Sequence, residues 1–371
     1  MAGFEGIQWA GRQMRYTLAD RKFDLLDPDS KVSAVSRSTH YGLCLAFEGI
    51  RFFARRGDGG RLEVNFLNLD HNLQRFRRGI AFNLGSHQQE MVPTADTLID
   101  IFVHRFFASP EMRDFLAEMA DLEAQGYLRP FTIDEEQSIG VTFPGKPAIR
   151  AVVCRYDRYL GEPFRGVVVP NLVRAVGANG TGCLKLGVNY LMSVKAVEAA
   201  KRVDPEAASA LFLDDRLHLA LRDRNITEWD SSCCLFALRE GTVVKIPESN
   251  LILPSVTIAG ITVILRHMGV PVEERDLTYG ELIRRTEAGE VAAICSVGTA
   301  GILNRAQSLL LVDEAGKTIA VQEADPSHPL YAKLGEARDT YWNLYREKAP
   351  PLAGLALDKF VLASKESHAT P

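Results

Sequence analysis

Between Gly42 and Ala54 the chain runs through an apolar, aromatic stretch with an interior glycine, a pattern that predicts a strand. Helical spacing follows over Leu98–Phe107 and again over Met112–Leu122, where Met112, Phe115, Leu116 and Met119 share one face. Gly126 stands where it would stop that second helix. Ile149–Cys154 is a β-rich run, and behind it Gly161, Pro163 and Gly166 form a cluster of breakers. Past the breakers strands and helices alternate. A strand is predicted at Val167–Val169, a helix at Tyr190–Val203 and a strand at Ala210–Leu213. An amphipathic helix follows over Val256–Met268, with Ile261, Ile264, Leu265 and Met268 inward and Gly269 at its end. Val291–Ser296 is a short buried strand. The pattern has no internal repeat and no low-complexity tract.

A chain of 371 residues is long for one core, so this alternation is divided into two mixed α/β domains. The division expected is a smaller N-terminal domain over 1–161, a linker over 162–168, a larger C-terminal domain over 169–348 and a tail over 349–371. Composition adds little: 46% hydrophobic and 24% charged residues are ordinary for a globular protein. A net charge of −4 gives no footing for nucleic acid or an anionic membrane. The cluster Arg75-Phe76-Arg77-Arg78 is too short to change that and suits a solvated helix face. Met1–Trp9 carries Glu5 and no apolar run, which argues against a secretory signal, and no stretch has the ~20 apolar residues of a membrane span. Cys44, Cys154, Cys183, Cys233, Cys234 and Cys295 are scattered without a metal or redox spacing. The expectation is a cytoplasmic protein with reduced thiols and no metal, in which the sequons at Asn179 and Asn225 carry no meaning.

Familiar chemical motifs fail on inspection. Gly177–Lys185 suggests a phosphate loop, but Cys183 and Leu184 separate the last glycine from the lysine and Leu186 follows it. The chain has no GxGxxG after a strand, no HExxH and no GxSxG.

Five segments in order over residues 40 to 300 carry a different signal. They are His40-Tyr41-Gly42 with Phe47-Glu48-Gly49-Ile50-Arg51, then His71–Arg75 (HNLQR), Gly126–Pro130 (GYLRP) and Lys185–Tyr190 (KLGVNY). The fifth is Thr227-Glu228 with the later Ile252–Thr257 (ILPSVT) and Ser296–Ala300 (SVGTA). In this order they resemble the fold-type IV pyridoxal-phosphate enzymes, the class IV aminotransferases, and most of all the branched-chain amino acid aminotransferase family. The resemblance implies a two-domain α/β fold and a pyridoxal 5′-phosphate cofactor. It implies small amino-acid and keto-acid substrates and a homodimer.

On that resemblance Lys185 is the Schiff-base lysine and the proton shuttle. Apolar neighbours such as Leu184 and Leu186 are what activate an amine for such work. Glu228 matches the carboxylate facing the pyridine nitrogen, where it keeps the ring able to accept electrons. Tyr190 joins the cofactor site. Arg75 matches the phosphate arginine, while Val256 and Thr257 at a helix start and Thr299 match the rest of the phosphate cradle. The substrate side is implied at Tyr41, Phe47, Gly49, Tyr127, Arg129, Tyr156, Tyr159 and Ala300. Arg129 suits the second carboxylate of 2-oxoglutarate because a guanidinium binds it in bidentate fashion. Val141 stands at the spacing of a pocket residue supplied by the neighbouring subunit.

Several positions depart from the family pattern: Val188, Cys233, Ser255, Ile258 and Arg305. The interval from Lys185 to Glu228 is longer than usual, which is expected to lengthen the hairpin around Asp214–Asp223. The run Asp134-Glu135-Glu136, Tyr156 and Arg305 would add polar groups to a pocket that leucine needs only apolar. The reading is an aminotransferase acting on an L-amino acid, branched-chain or related. A lyase of the same fold, eliminating pyruvate from an aminodeoxychorismate-like substrate, is the alternative.

Overall fold

The computed structural model describes residues 4–42, 45–159, 163–174 and 180–362. Cys44, Gly161 and residues 177–179 of the glycine-rich segment, Asn179 among them, lie outside these, as does the side chain of Tyr159. The chain divides into two compact units. One holds Phe4–Asp157, Leu184–Val188 and the chain from Leu344 onward; the other holds Arg158–Cys183 and Asn189–Asn343.

The N-terminal unit is a mainly antiparallel sheet with helices against it. Its strands lie in the order Leu357–Val361, Leu62–Leu67, Ile50–Arg56, Gln125–Asp134, Pro147–Arg155, Gln13–Thr17 and Phe23–Leu26. The edge strand Leu357–Val361 lies within 349–371, the stretch expected to be a tail. Phenylalanines fill the core: Phe52 lies 4.8 Å from Phe107 and 6.0 Å from Phe66, ring centre to ring centre. Burying each such side chain stabilises the unit by roughly 1.5–3 kcal/mol.

The helix predicted at Leu98–Phe107 is present, wound as α-helix over Ala95–Ile99 and as π-helix over Asp100–Phe107. The next helix runs Pro110–Asp121 and buries Met112, Leu116 and Met119. Gly126 does not stop it. Gly126 lies inside the strand Gln125–Asp134, where a Cβ would come within 2.3 Å of the Phe52 ring. The glycine is there because a ring needs the space. The strand predicted over Gly42–Ala54 begins only at Ile50, because Ala46 and Phe47 make single bridges to Leu186 and Phe131 in place of a continuous ladder.

The C-terminal unit is a mixed sheet with strands in the order Ile226–Trp229, Ser209–Leu213, Phe164–Val169, Ile302–Val312, Val291–Gly298, Cys233–Leu238, Val243–Lys245 and Val272–Glu274. Gly166, one of the predicted breakers, sits within the strand Phe164–Val169. Ser209–Leu213 and Ile226–Trp229 pair antiparallel, so the segment around Asp214–Asp223 is the connection of a hairpin. The helix Leu191–Val203 packs Ala196 and Ala200 on Val167, Ala210 and Phe212. The helix Val256–His267 buries Ile261, Ile264 and Leu265, and Gly269 follows it with a left-handed φ of 74°. Among the described residues no helix is long and apolar enough to cross a membrane.

Candidate active site

Lys185 belongs to the N-terminal unit through its backbone. The segment Ala46–Glu48 is hydrogen-bonded on both edges. On one edge Glu48 N donates to Pro130 O at 2.9 Å and Thr132 N donates to Ala46 O at 2.8 Å. On the other, Phe47 N donates to Lys185 O at 3.0 Å and Gly187 N donates to Leu45 O at 3.2 Å. Obligatory backbone pairing therefore fixes Lys185 beside Phe47. The half-buried amine lies 5.0 Å from the centre of the Phe47 ring.

The same ring receives Arg129, whose guanidinium carbon is 4.8 Å from its centre. Arg129 Nη2 donates to the Tyr127 hydroxyl at 2.7 Å. Gly49 is a glycine for the sake of this tyrosine, since a Cβ there would fall 2.0 Å from its hydroxyl oxygen. Tyr127 packs edge-on against Tyr156 at 6.2 Å, and Arg51 Nη2 donates to the Tyr156 hydroxyl at 2.8 Å. Burial pushes the Tyr156 phenol up to about 12, so it stays neutral at physiological pH. Lys185, Phe47, Gly49, Tyr127, Arg129 and Tyr156 thus form one contiguous group.

Arg75 faces inward from the helix Leu69–Asn83, unlike the half-buried Arg77 and the exposed Arg78 beside it. Its Nε and Nη2 fork onto the two oxygens of the fully buried Glu48, at 2.7 and 2.5 Å. Glu48 was legible only as a letter of a motif. Its role as the seat of Arg75 was not.

Glu228 is buried in the second unit, on the strand Ile226–Trp229. Its Oε1 takes Arg174 Nη1 at 2.7 Å and the Leu253 amide at 3.1 Å, while Oε2 lies 4.0 Å from the Cys233 thiol. Arg174 is also buried, and its guanidinium stands 5.5 Å from the centre of the Tyr190 ring. The Arg174 pKa is raised: burial opposes its charge, but Glu228 and Tyr190 outweigh that. Sequence reasoning missed Arg174, because nothing local marks an arginine whose partner lies on a distant strand.

Val256 and Thr257 open the helix Val256–His267 and are buried. Ser255, at the position where the family has glycine, caps that helix with its own hydroxyl, which accepts from Ile258 N at 3.3 Å. Thr299 and Ala300 form the half-buried turn between Val291–Gly298 and Ile302–Val312. Tyr41 and Val141 make a separate exposed group, joined where the Tyr41 hydroxyl donates to Ile139 O at 3.1 Å.

Most of the charges expected to colour the substrate pocket are engaged elsewhere. Asp134 and Glu136 meet Arg37, Glu135 is paired with Arg15 and Arg150, and Arg305 stacks on Tyr331 at 4.2 Å. Tyr156 lies with the Lys185 group.

No family model matches the chain. The "Branched-chain-amino-acid transaminase 1" of Bacillus subtilis is 28% identical over 325 residues, covering 83% of this chain and 80% of that protein. The branched-chain aminotransferase of Thermoproteus uzoniensis, solved with norvaline, superposes with a TM-score of 0.66 at 20% identity, over 91% of this chain and 96% of that one. This chain is similar to branched-chain aminotransferases over most of its length and has their fold. A further structure, the Escherichia coli branched-chain amino acid aminotransferase, gives a TM-score of 0.65 at 19% identity, over 96% and 99% of the two chains.

Proposed function

We propose that the protein is a pyridoxal-phosphate-dependent aminotransferase that moves the amino group of an L-amino acid, branched-chain or related, to a keto acid such as 2-oxoglutarate. One observation carries this reading: the Phe47 ring is flanked by the Lys185 amine at 5.0 Å and the Arg129 guanidinium at 4.8 Å. An amine able to bond a carbonyl carbon and a cation able to hold a carboxylate thus meet at one aromatic ring.

The residues present suit the cofactor. Lys185 offers the attachment point, and Glu228 offers a buried carboxylate for the ring nitrogen. Arg75, Thr299 and the buried start of the helix at Val256 and Thr257 offer donors for the phosphate. Arg174 Nε is buried without a hydrogen-bond partner, the kind of donor that a bound acceptor satisfies.

Pyridoxal phosphate, when bound, supplies an electrophilic carbon and a ring that accepts the electron pair left at the substrate Cα. Lys185 Nζ would hold the cofactor and would take the proton from the substrate Cα. Arg129, braced by Tyr127, orients the substrate carboxylate. Phe47 and Tyr156 would add buried aromatic wall that excludes water beside them.

The active form in this reading is a homodimer. Val141, expected in the neighbour's pocket, is 73% exposed on the single chain, with Ile139 and Phe143 exposed beside it. Tyr41, tied to the same loop, goes with it. The described cysteines are free thiols, which suits a cytoplasmic setting.

The test is to mix holoenzyme with single L-amino acids, without a keto acid, and follow cofactor absorbance. Branched donors should convert the pyridoxal form to the pyridoxamine form, 2-oxoglutarate should reverse it, and Lys185→Ala should do neither. Arg129→Ala should raise the KM for 2-oxoglutarate by on the order of 10–10². A holoenzyme that no amino acid converts would end this reading.

A further inference from the structure

The segment 135–146 joins two long strands without regular structure and carries three outward apolar side chains, Ile139, Val141 and Phe143, exposed by 74%, 73% and 56%. A connection of this length is ordinarily mobile. Here one guanidinium holds it from behind. Arg37, the first residue of the helix Arg37–Tyr41, is 1% exposed, and its Nε lies 2.8 Å from Oδ2 of the fully buried Asp134. That contact is an ion pair and not an aligned hydrogen bond. Arg37 Nη2 donates to Glu136 Oε2 at 3.2 Å. Its Nη1 donates to Thr142 O, Thr142 Oγ1 and Phe143 O.

The rest of the helix is sewn to the same loop. Ser36 Oγ donates to Asp134 O, Asp134 N donates to Ser38 Oγ at 2.6 Å, and Ser138 N donates to Val35 O at 3.0 Å. At the far end of the helix the Tyr41 hydroxyl reaches Ile139 O. The helix that ends on Tyr41 and the loop that carries Val141 are therefore one block, with Arg37 at its centre.

We infer that Arg37 is a positioning residue for substrate binding: it fixes Tyr41 and Val141 in one preformed arrangement, so that binding does not have to order the loop. The inference rests on the reading of Tyr41 and Val141 as substrate residues. Arg37 itself touches no reacting atom. Its loss should act on KM, with kcat at saturation kept.

The experiment compares wild-type holoenzyme with Arg37→Met/Asp134→Asn, which removes the pair without stranding a buried charge and keeps the Asp134 acceptor for Glu136 N and Lys146 N. Hydrogen exchange is read over 136–144, together with KM and kcat for a donor amino acid. Exchange should quicken in this segment by tenfold or more, on the order expected when a buried charged contact is lost, and remain unchanged elsewhere. KM should rise severalfold at unchanged kcat. Glu136→Ala removes only the outer contact and should give the same pattern more weakly; it carries the test if the double variant does not fold. Unchanged exchange over 136–144 overturns the clamp. Faster exchange at unchanged KM overturns its role in binding. Because exchange needs no turnover, failure of the aminotransferase reading would be seen separately, as a wild type without activity.

Discussion

Each unit buries an arginine–glutamate pair, and these two pairs are built differently. Arg75 and Glu48 face each other as fork and fork, with two donors on two oxygens. Arg174 Nη1 lies 2.7 Å from Oε1 of Glu228, and the Leu253 amide shares that oxygen. The first geometry spends both carboxylate oxygens on holding an arginine still. The second seats a carboxylate through Oε1 and brings the weakly donating Cys233 thiol to 4.0 Å from Oε2. In the first pair the glutamate serves the arginine; in the second the arginine serves the glutamate.

That difference is most sharply tested at Glu228. Glu228→Gln should lower kcat by on the order of 10² or more, the usual loss when an electrostatic partner of the reacting centre is neutralised. Arg174→Met strands a buried carboxylate, which typically costs ~3–5 kcal/mol of stability. The double variant Arg174→Met/Glu228→Gln should recover most of that stability in denaturant unfolding but none of the activity. If activity returned with stability, Glu228 would be a structural residue and the asymmetry between the pairs would vanish.

The Arg75 pair gives the converse. Arg75→Ala should destabilise by a similar ~3–5 kcal/mol, because Glu48 is left buried without its counter-charge. Adding Glu48→Gln should restore the stability. Cofactor retention on dilution is then read in the stable double variant. It should remain weakened if Arg75 also holds the phosphate. Full retention would make the pair a fold element only.

Much of this was legible in the sequence, and the reason differs by residue. Helical and strand spacing located the helices Pro110–Asp121 and Val256–His267 because their apolar faces repeat locally. Lys185, Arg129 and Tyr127 were singled out because their motifs are contiguous, and the fold gathers them around Phe47. Arg174, Glu48 as a partner, and Arg37 were not found as functional residues. Each acts through a contact far away in the chain, and a single sequence holds no trace of such pairing. Gly126 misled for a related reason: a glycine needed for a distant ring has the same local signature as a helix stop. The run Asp134–Glu136 looked like pocket polarity because its neutralising partners Arg15, Arg37 and Arg150 are remote in sequence.

The smallest expected effect concerns an arginine with a neutral partner, and it calibrates the other two. Arg51 donates to the Tyr156 hydroxyl at 2.8 Å, so Tyr156→Phe removes an acceptor without stranding an anion. The cost near neutral pH should be ~1.5–3 kcal/mol, below that of breaking either charged pair. It should also depend on pH. Burial raises the phenol from the ordinary 10.0 to about 12, so folding favours its protonated form. The stability linked to that protonation is complete below pH 10.0 and is lost as pH climbs toward about 12. The phenylalanine variant has no such titration. The stability gap between wild type and Tyr156→Phe, measured by denaturant unfolding, should therefore narrow from about pH 9 to about pH 11.5 by on the order of 1–2 kcal/mol. A gap that stays constant across that range would mean that the phenol titrates alike in the folded and unfolded chains. In that case the Arg51–Tyr156 contact is not the buried neutral hydrogen bond against which the two ion pairs are measured.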